Sequence, residues 1–279
     1  MSLSRRENTN PGNGKISMSR SFTCSALALR VKTSGESNRE AWFLTAGEGI
    51  LRATVFGGPK SRLRALVAPF HGGTLWIYHD PVRDTRKVND FDVQFYRTGL
   101  RELYERAMTA DAVAETVLSS QGGGGGWAES LELAGSVLDA LEAADASVCS
   151  RIGVYFLWQW AGHLGLRPDL SVCASCFREA VRDEPLWFYP GREAFFCEDC
   201  AGKIDNSSGW TKSQPTQDLS YSFRLLPGAR LWLKAVESLP PSSLARFSLD
   251  TLCLEQAKTL AKTIMAGALG KALPTWDWI

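Results

Sequence analysis

The sequence predicts an α+β protein with more than one domain. We expect a small five-stranded closed β-barrel, then an all-helical domain with an inserted four-cysteine hairpin. Short runs of β-forming residues joined by tight turns fill residues 21–90, and a helical period of apolar residues follows over residues 91–279. Two Cys-x-x-Cys pairs lie within residues 172–203. A chain of 279 residues is long enough for two or three domains.

The composition argues against a membrane protein. The apolar fraction is 44%, which is ordinary for a globular chain, and no run of apolar residues is long enough to span a bilayer. Residues 1–20 are polar and lack the apolar core of a signal peptide, so we expect a disordered leader, with Met18 as an alternative start. The expected location is the cytoplasm.

Five runs account for the barrel. The first, SFTCSALALRVKT, alternates apolar and polar positions over residues 21–33. Residues 41–56 form a hairpin with its turn at residues 46–49, because Ala-Gly-Glu-Gly separates two runs rich in β-formers. LRALVAPF (63–70) and GGTLWIYHD (72–80) are the last two predicted strands.

The remaining chain has the apolar spacing of helices. The segment VCSRIGVYFLWQWAGHLGL, residues 148–166, is apolar on nearly all sides and is expected to cross the middle of the helical domain. The other helices are expected within residues 95–120, 130–144, 227–239 and 248–265.

A glycine run, QGGGGGW at residues 121–127, stands between the first two of these helices. A phosphate-binding loop would end in Gly-Lys-Ser/Thr, and Trp127-Ala128 supplies neither the lysine nor the hydroxyl. We therefore expect a flexible connector.

The cysteine pairs predict a structural zinc site. Cys173, Cys176, Cys197 and Cys200 can surround one Zn²⁺ per chain, with residues 177–196 as the hairpin that brings the pairs together. A redox pair would need a thioredoxin-like context, which is missing. Four protein ligands leave no open position for water, so this site would be structural and not catalytic. The other three cysteines are expected to be small buried residues: Cys24, Cys149 and Cys253.

No catalytic constellation is recognised in the sequence, and we predict no catalytic residue. His71, His79 and His163 show no metal-binding spacing, and no Gly-x-Ser-x-Gly motif occurs. We interpret His163 as a hydrogen-bonded residue at a helix end.

The first third of the chain is basic and the remainder is acidic, although the whole chain has a net charge of +1. This asymmetry suggests one face for a polyanion and another face for something else. Lys60, Arg62 and Arg64 would point the same way on an extended strand, with Arg52 nearby. Cations beside aromatic side chains are typical of single-strand binding. The alternative is that the aromatic side chains fill the barrel core and the cations are only solvated. Taken singly, each aromatic residue is expected in the core: Trp42, Phe43, Phe56, Trp76 and Tyr78.

The order of these segments resembles the RecO family of bacterial recombination mediators. Residues 35–37, 47–53, 57–62 and 68–70 carry the first part of the resemblance (GES, GEGILRA, GGPKSR and APF). LGLRPDLSVCASC and FFCEDC carry the second part, around the cysteine pairs. The family combines an amino-terminal oligonucleotide-binding (OB) barrel with a helical domain that often holds a four-cysteine zinc site.

The resemblance implies a DNA repair function without catalysis. Such a protein binds single-stranded DNA and also, as a second candidate, double-stranded DNA; it anneals complementary strands and helps to load the recombinase RecA. The implied partners are RecR and the acidic, apolar tail of the single-strand binding protein, and the implied location is the bacterial nucleoid. The implied phosphate contacts are Lys60, Arg62, Arg64, Arg52 and Arg39. Family members often have a longer basic run where this chain has Gly57-Gly58-Pro59, so Arg83, Arg86 and Lys87 are further candidates.

Two other functions remain open. One is a zinc-stabilised protein-interaction or transcription-associated module with little affinity for DNA. The other is a nucleic-acid-processing enzyme, which would need a carboxylate cluster for a divalent metal or an open zinc site.

Overall fold

The structure of the protein is a computed structural model that describes residues 20–58, 60–208 and 222–279. The leader expected over residues 1–20 lies outside the described residues except for Arg20.

Five strands form a closed barrel in the order β1-β2-β3-β5-β4, and β4 pairs with β1 to close it. Neighbouring strands are antiparallel except β3 and β5, which are parallel. A closed five-stranded barrel with this mixed topology is an OB-fold, so the predicted fold class of the first domain is confirmed. The strands are β1 (Ser21–Ser34), β2 (Asn38–Thr45), β3 (Gly49–Val55), β4 (Gly72–Asp80) and β5 (Thr85–Phe95).

One predicted strand is wrong. The run LRALVAPF begins with a short helix, α1 (Arg62–Leu66), between β3 and β4. A helical turn places residues three and four apart on the same side. This brings Leu63, Leu66 and Val67 together on the barrel core. The fifth strand is β5, which ends at Phe95, so the barrel extends past the boundary expected at residue 90.

The middle of strand β1, residues 26–29, is buried on both sides. Ala26 and Ala28 face the barrel interior, whereas Leu27 lies in the core of the helical domain. The strand register places Leu27 opposite Leu44, and Leu44 opposite Ile50. This outward row packs against the helices and belongs to their core, whereas the barrel interior is a separate apolar cluster.

Three helices follow the barrel, as predicted: α2 (Tyr104–Ser119), α3 (Trp127–Glu142) and α4 (Ala146–His163). Helix α4 is the most central, because its side chains are buried on almost every side. Among the described helices, none combines the length and the apolar character needed to cross a bilayer.

The cysteine segment is a small three-stranded sheet with a helix. The predicted hairpin is formed by β6 (Leu186–Tyr189) and β7 (Ala194–Phe196), which is followed at once by α5 (Glu198–Ser208). The third strand, β8 (Phe223–Leu225), pairs with β6. The chain then returns to the helical core through two more helices, α6 (Pro227–Val236) and α7 (Thr251–Leu269).

The glycine run is a packed turn and not the flexible connector that was predicted. Gln121 and Gly122–Gly125 all have positive φ, a conformation that glycine adopts without steric cost. Gly122 and Gly123 are buried between the barrel and α4. The hydroxyl of Ser130 donates to the Gly122 carbonyl at 2.8 Å and lies 2.7 Å from Nε2 of His163. His163 is therefore a hydrogen-bonded residue at a helix end, as interpreted from the sequence.

We expect Gly123→Ala to destabilise the protein by about 3 kcal/mol, because it combines an unfavourable φ with a clash. The φ of Gly123 is +91°, and an added Cβ would lie 2.7 Å from the Ser130 hydroxyl. Gly124→Ala is the matched control, because Gly124 has a φ of +77° and nothing within 4 Å of an added Cβ. Urea denaturation would measure both variants. Equal losses of stability would show that the turn is not packed as described.

Candidate metal centre and nucleic-acid interface

Four cysteine sulfurs converge in the helical domain. The Sγ atoms of Cys173, Cys176, Cys197 and Cys200 all lie within 4.8 Å of one another. The sulfurs of Cys176 and Cys197 are 3.8 Å apart. This separation matches the edge of about 3.8 Å expected for a tetrahedron of thiolates at about 2.3 Å from Zn²⁺. Within the described part of the chain, this is the one group of three or more His, Cys, Asp or Glu side chains placed to hold a metal ion.

The first pair lies on a tight turn that is fastened to the hairpin. The backbone N–H of Phe177 donates to the Cys173 carbonyl at 2.9 Å, which closes the turn. Phe177 has a φ of 59°, the left-handed conformation that reverses the chain after the second cysteine. The N–H of Ala174 donates to the carbonyl of Phe195 at 2.8 Å. Because Phe195 stands two residues before Cys197, this bond brings the two pairs together.

The second pair is at the start of α5. The N–H of Ala201 donates to the Cys197 carbonyl at 2.9 Å, so Cys197 is the residue from which the helix begins, and Cys200 lies in its first turn.

The pKa values of two of the sulfurs, Cys173 and Cys200, are shifted in opposite directions. Burial raises the pKa of Cys173, but hydrogen bonds from backbone N–H groups at Cys176, Cys197 and Ser175 outweigh it and lower the pKa to about 6. The pKa of Cys200 is raised to about 12, because its S–H bonds to Cys197 and because burial disfavours the thiolate. Crowded sulfurs that compete for protons are suited to a cation that replaces those protons.

One arginine stabilises the cysteine segment from within, and a second attaches it to the helical core. Arg178 pairs with Glu184 through contacts of 2.5 and 2.9 Å, and Glu184 and the Cys197 sulfur hold the pKa of Arg178 above its usual range. Arg230, on α6, is 5% exposed and donates to the carbonyls of Leu170, Val181 and Arg182. Since Arg230 belongs to the helical core, these bonds fix the orientation of the segment on that core.

The five cations predicted to contact DNA fall into two groups. Lys60 and Arg62 are exposed at the start of α1, whereas Arg64 and Arg39 are half-buried. Arg39 Nη1 donates to the carbonyl of Arg64 at 3.1 Å, so Arg39 fastens α1 to the barrel. Burial and the charge of Arg64 lower the pKa of Arg39. The extended strand on which Lys60, Arg62 and Arg64 would point the same way is not formed, because Arg62 and Arg64 lie in α1, where successive side chains turn by about 100°.

The fifth cation, Arg52, belongs to a surface of cations and aromatic rings on the outside of the barrel. Arg52 and Lys32 lie over the ring of Trp42, at 5.5 and 5.8 Å from its centre, and Lys87 lies 4.6 Å from the centre of Tyr78. The strand register joins these pairs in a lateral row, Lys32–Glu40–Thr54–Lys87–Tyr78, that crosses all five strands next to Trp42–Arg52. We call this surface the basic belt, defined by Lys32, Trp42, Arg52, Tyr78 and Lys87.

The aromatic side chains of the barrel divide between the core and the surface. Phe43 is fully buried and packs edge-on against Phe91, so the core assignment is confirmed for this residue. It is wrong for Phe56, which is 52% exposed, and for Trp76, which is 37% exposed. Phe56 directly follows β3 and leads toward Lys60, so it extends the basic belt toward α1.

Glu40 restrains the basic belt. Its carboxylate lies 2.5 Å from Nη2 of Arg52, so it neutralises the positive charge with which Arg52 would bind a phosphate. We expect Glu40→Gln to tighten single-strand binding about threefold and to steepen its salt dependence, because one repulsive charge is lost and Arg52 is released. Anisotropy of a labelled oligothymidylate at several salt concentrations would measure both effects. Glu105→Gln, on α2, is the control, and weaker binding by Glu40→Gln would mean that Glu40 holds Arg52 in its binding position.

Lys32 is the member of the basic belt that sequence reasoning missed. Strict alternation from Ala26 and Ala28, which face inward, would place Lys32 inside the barrel. A bulge between Ala28 and Arg30 shifts the register of β1, so Val31 faces inward and Lys32 faces outward. No local signal in the sequence marks this bulge.

Comparison with known families agrees with both domains. The family model described as "Recombination protein O N terminal" matches residues 18–93, which include the whole barrel up to the end of β5. The model described as "Recombination protein O C terminal" matches residues 101–215, which include α2 to α5 and the four cysteines. A search of curated proteins found no match. With both family domains in order, an OB barrel and a helical domain with clustered cysteines, the chain belongs to the RecO family of DNA recombination and repair mediators.

Proposed function

We propose that the protein binds single-stranded DNA along the basic belt, anneals complementary strands and helps to load a recombinase on coated strands. The observation that carries this proposal is the lateral row of cations and aromatic rings across the barrel. In an OB-fold, the face of strands 2 and 3 is where oligonucleotides bind, and Trp42 and Arg52 are on that face.

The belt suits an unpaired strand better than a duplex. Cations lie over the rings of Trp42 and Tyr78, so a base can stack on either ring when Lys32, Arg52 and Lys87 swing from the rings to the phosphates. Bases in a duplex are already stacked on one another and do not offer their faces to side chains. Double-stranded DNA would therefore be held only by its phosphates, with a steep dependence on salt.

We assign the metal as one structural Zn²⁺ held by Cys173, Cys176, Cys197 and Cys200. Four sulfur ligands in a near-tetrahedral cluster support zinc rather than a hard cation. Because all four positions would be occupied by protein, the ion would stabilise the segment between α4 and α6 and take no part in chemistry.

The proposed partners are RecR, the tail of the single-strand binding protein and, indirectly, RecA. A cavity of about 400 Å³ between the β6–β7 turn and α7 is a candidate site for the acidic, apolar tail. Leu166, Phe188 and Ile264 give it apolar lining, and Arg192 supplies a cation next to the carboxylate of Glu193. This combination is complementary to a short segment that carries both carboxylates and apolar side chains.

Strand annealing tests the proposal. Two complementary oligonucleotides, each coated with the cognate single-strand binding protein, are mixed with and without the protein and without ATP. We expect annealing to accelerate with the wild-type chain and to slow when Trp42 and Arg52 are replaced by Ala.

Failure to accelerate annealing, together with no binding to bare oligonucleotides at low salt, would contradict the proposal. It would favour the second candidate, a zinc-stabilised protein-interaction module, in which the helical domain is the main binding surface. Acceleration that Trp42→Ala and Arg52→Ala leave unchanged would keep the mediator function but remove the basic belt from it.

A further inference from the structure

A second face of the barrel has the opposite charge to the basic belt. On β4 and β5, Leu75 and Phe91 point into the barrel, so the residues that alternate with them point outward. The register places Trp76 opposite Asp90, and both side chains are exposed. Asp92 follows on the same side of β5 and is also exposed. Tyr78 and Trp76 are successive outward-facing residues of β4. The charge of the surface therefore changes from positive beside Tyr78 to negative beside Trp76.

The same face continues into a cavity of about 310 Å³ between the barrel and α3. Glu132 and Asp139 line it from the helix, and Phe95 lines it from β5. The single cation there, Arg97, is 7% exposed, and its Nε lies 2.6 Å from Asp139, so its charge is already balanced. We call this surface the acidic face, defined by Trp76, Asp90, Asp92 and Glu132.

Asp90 Oδ1 accepts a hydrogen bond from the backbone N–H of Phe91 at 2.9 Å, but among the described residues the carboxylates of the acidic face have no cation to pair with. Within the described residues, Asp90, Asp92 and Glu132 take part in none of the ion pairs. A surface like this repels phosphates, so it cannot be a continuation of the DNA site. A solvated acidic surface does not need a tryptophan, and tryptophan is among the residues most enriched at the energetic centres of protein interfaces.

We propose that the acidic face docks an arginine-bearing segment of a partner protein. Arginine is the side chain that matches both features, since its planar guanidinium can stack on the Trp76 ring and bond the Asp90 carboxylate beside it. Asp92 and Glu132 attract further cationic residues along the segment. Strand β4 is paired on both sides, with β1 and with β5, and the acidic side chains project from the face of the sheet, so we place the segment across this face. One barrel thereby binds a polyanion on one side and a cationic protein on the other.

The test is direct binding of a labelled peptide of alternating arginine and glycine to the full chain, followed by anisotropy at low and moderate salt. We expect Asp90→Asn with Asp92→Asn, and separately Trp76→Ala, to weaken binding about fivefold or more. Glu105→Gln with Asp183→Asn removes the same charge from the helical domain and should leave binding unchanged. A peptide with glutamate in place of arginine should not bind.

Each other outcome would overturn the proposal. Equal affinity for the wild type and the acidic-face variants would show that the peptide binds elsewhere. Weaker oligonucleotide binding by Trp76→Ala would assign this face to DNA. Self-association in sedimentation equilibrium that Asp90→Asn with Asp92→Asn abolishes would make a second copy of the chain the occupant. Because oligonucleotide binding is measured in parallel, failure here is distinguishable from failure of the proposed DNA function.

Discussion

Replacing Cys173 and Cys176 together by Ser is expected to reduce bound zinc from about one ion per chain to almost none. The pair supplies two of the four sulfurs, and the remaining two cannot complete a tetrahedron. Local stability of the segment from residue 172 to residue 208 should fall by about 5 kcal/mol or more, because metal binding there is coupled to folding. Metal analysis and hydrogen exchange would measure the two effects.

The barrel should survive this change. Its core is formed by a separate apolar cluster that includes none of the four cysteines. Oligonucleotide binding by the Cys173→Ser, Cys176→Ser variant should therefore stay within about twofold of the wild type at moderate temperature. Cys24→Ser, in the barrel, is the control for loss of a thiol. The zinc content of this variant should equal that of the wild type. Zinc content that stayed near one ion in the double variant would show that the ligand assignment is wrong.

The parts of the fold that could be predicted are those in which residues close in sequence form a clear pattern, such as an apolar helical run, a turn or a fixed cysteine spacing. Helix α4 is apolar all round and is central, and the hairpin between the cysteine pairs is set by Tyr189-Pro190-Gly191. The sulfur cluster followed from spacing, because each Cys-x-x-Cys turn can present two sulfurs to one point. In these segments local preference and tertiary packing agree.

The parts that could not be predicted depend on contacts distant in sequence. α1 is five residues long, and its apolar side chains fit a strand as well as a helix until the barrel core selects one. The glycine run is ordered by Ser130 and His163, which a local pattern does not reveal. The basic belt required the register of β3 on β5, a pairing between residues 33 positions apart, Thr54 and Lys87.

The largest effect on DNA binding is expected from Trp42→Ala. The ring carries two cations, Arg52 and Lys32, and loss of a stacking platform of this kind costs about 1–3 kcal/mol. We therefore expect single-strand affinity to fall about tenfold or more, while the slope of affinity against salt changes little. Arg52→Ala with Lys87→Ala should instead flatten that slope by about 1.4, since each lost phosphate contact on a single strand contributes about 0.7.

The two variants separate stacking from charge, and a third compares the basic belt with α1. If Lys60→Ala with Arg62→Ala flattens the salt slope as much as Arg52→Ala with Lys87→Ala, the strand continues from the belt past Phe56 onto α1. If only the belt variant flattens it, the strand stays on the barrel face and the exposed start of α1 is solvated. Arg246→Ala with Lys271→Ala removes two exposed cations from the helical domain and is the matched control. A slope reduced equally by that control would mean that binding follows net charge alone, and the basic belt would then not be a site.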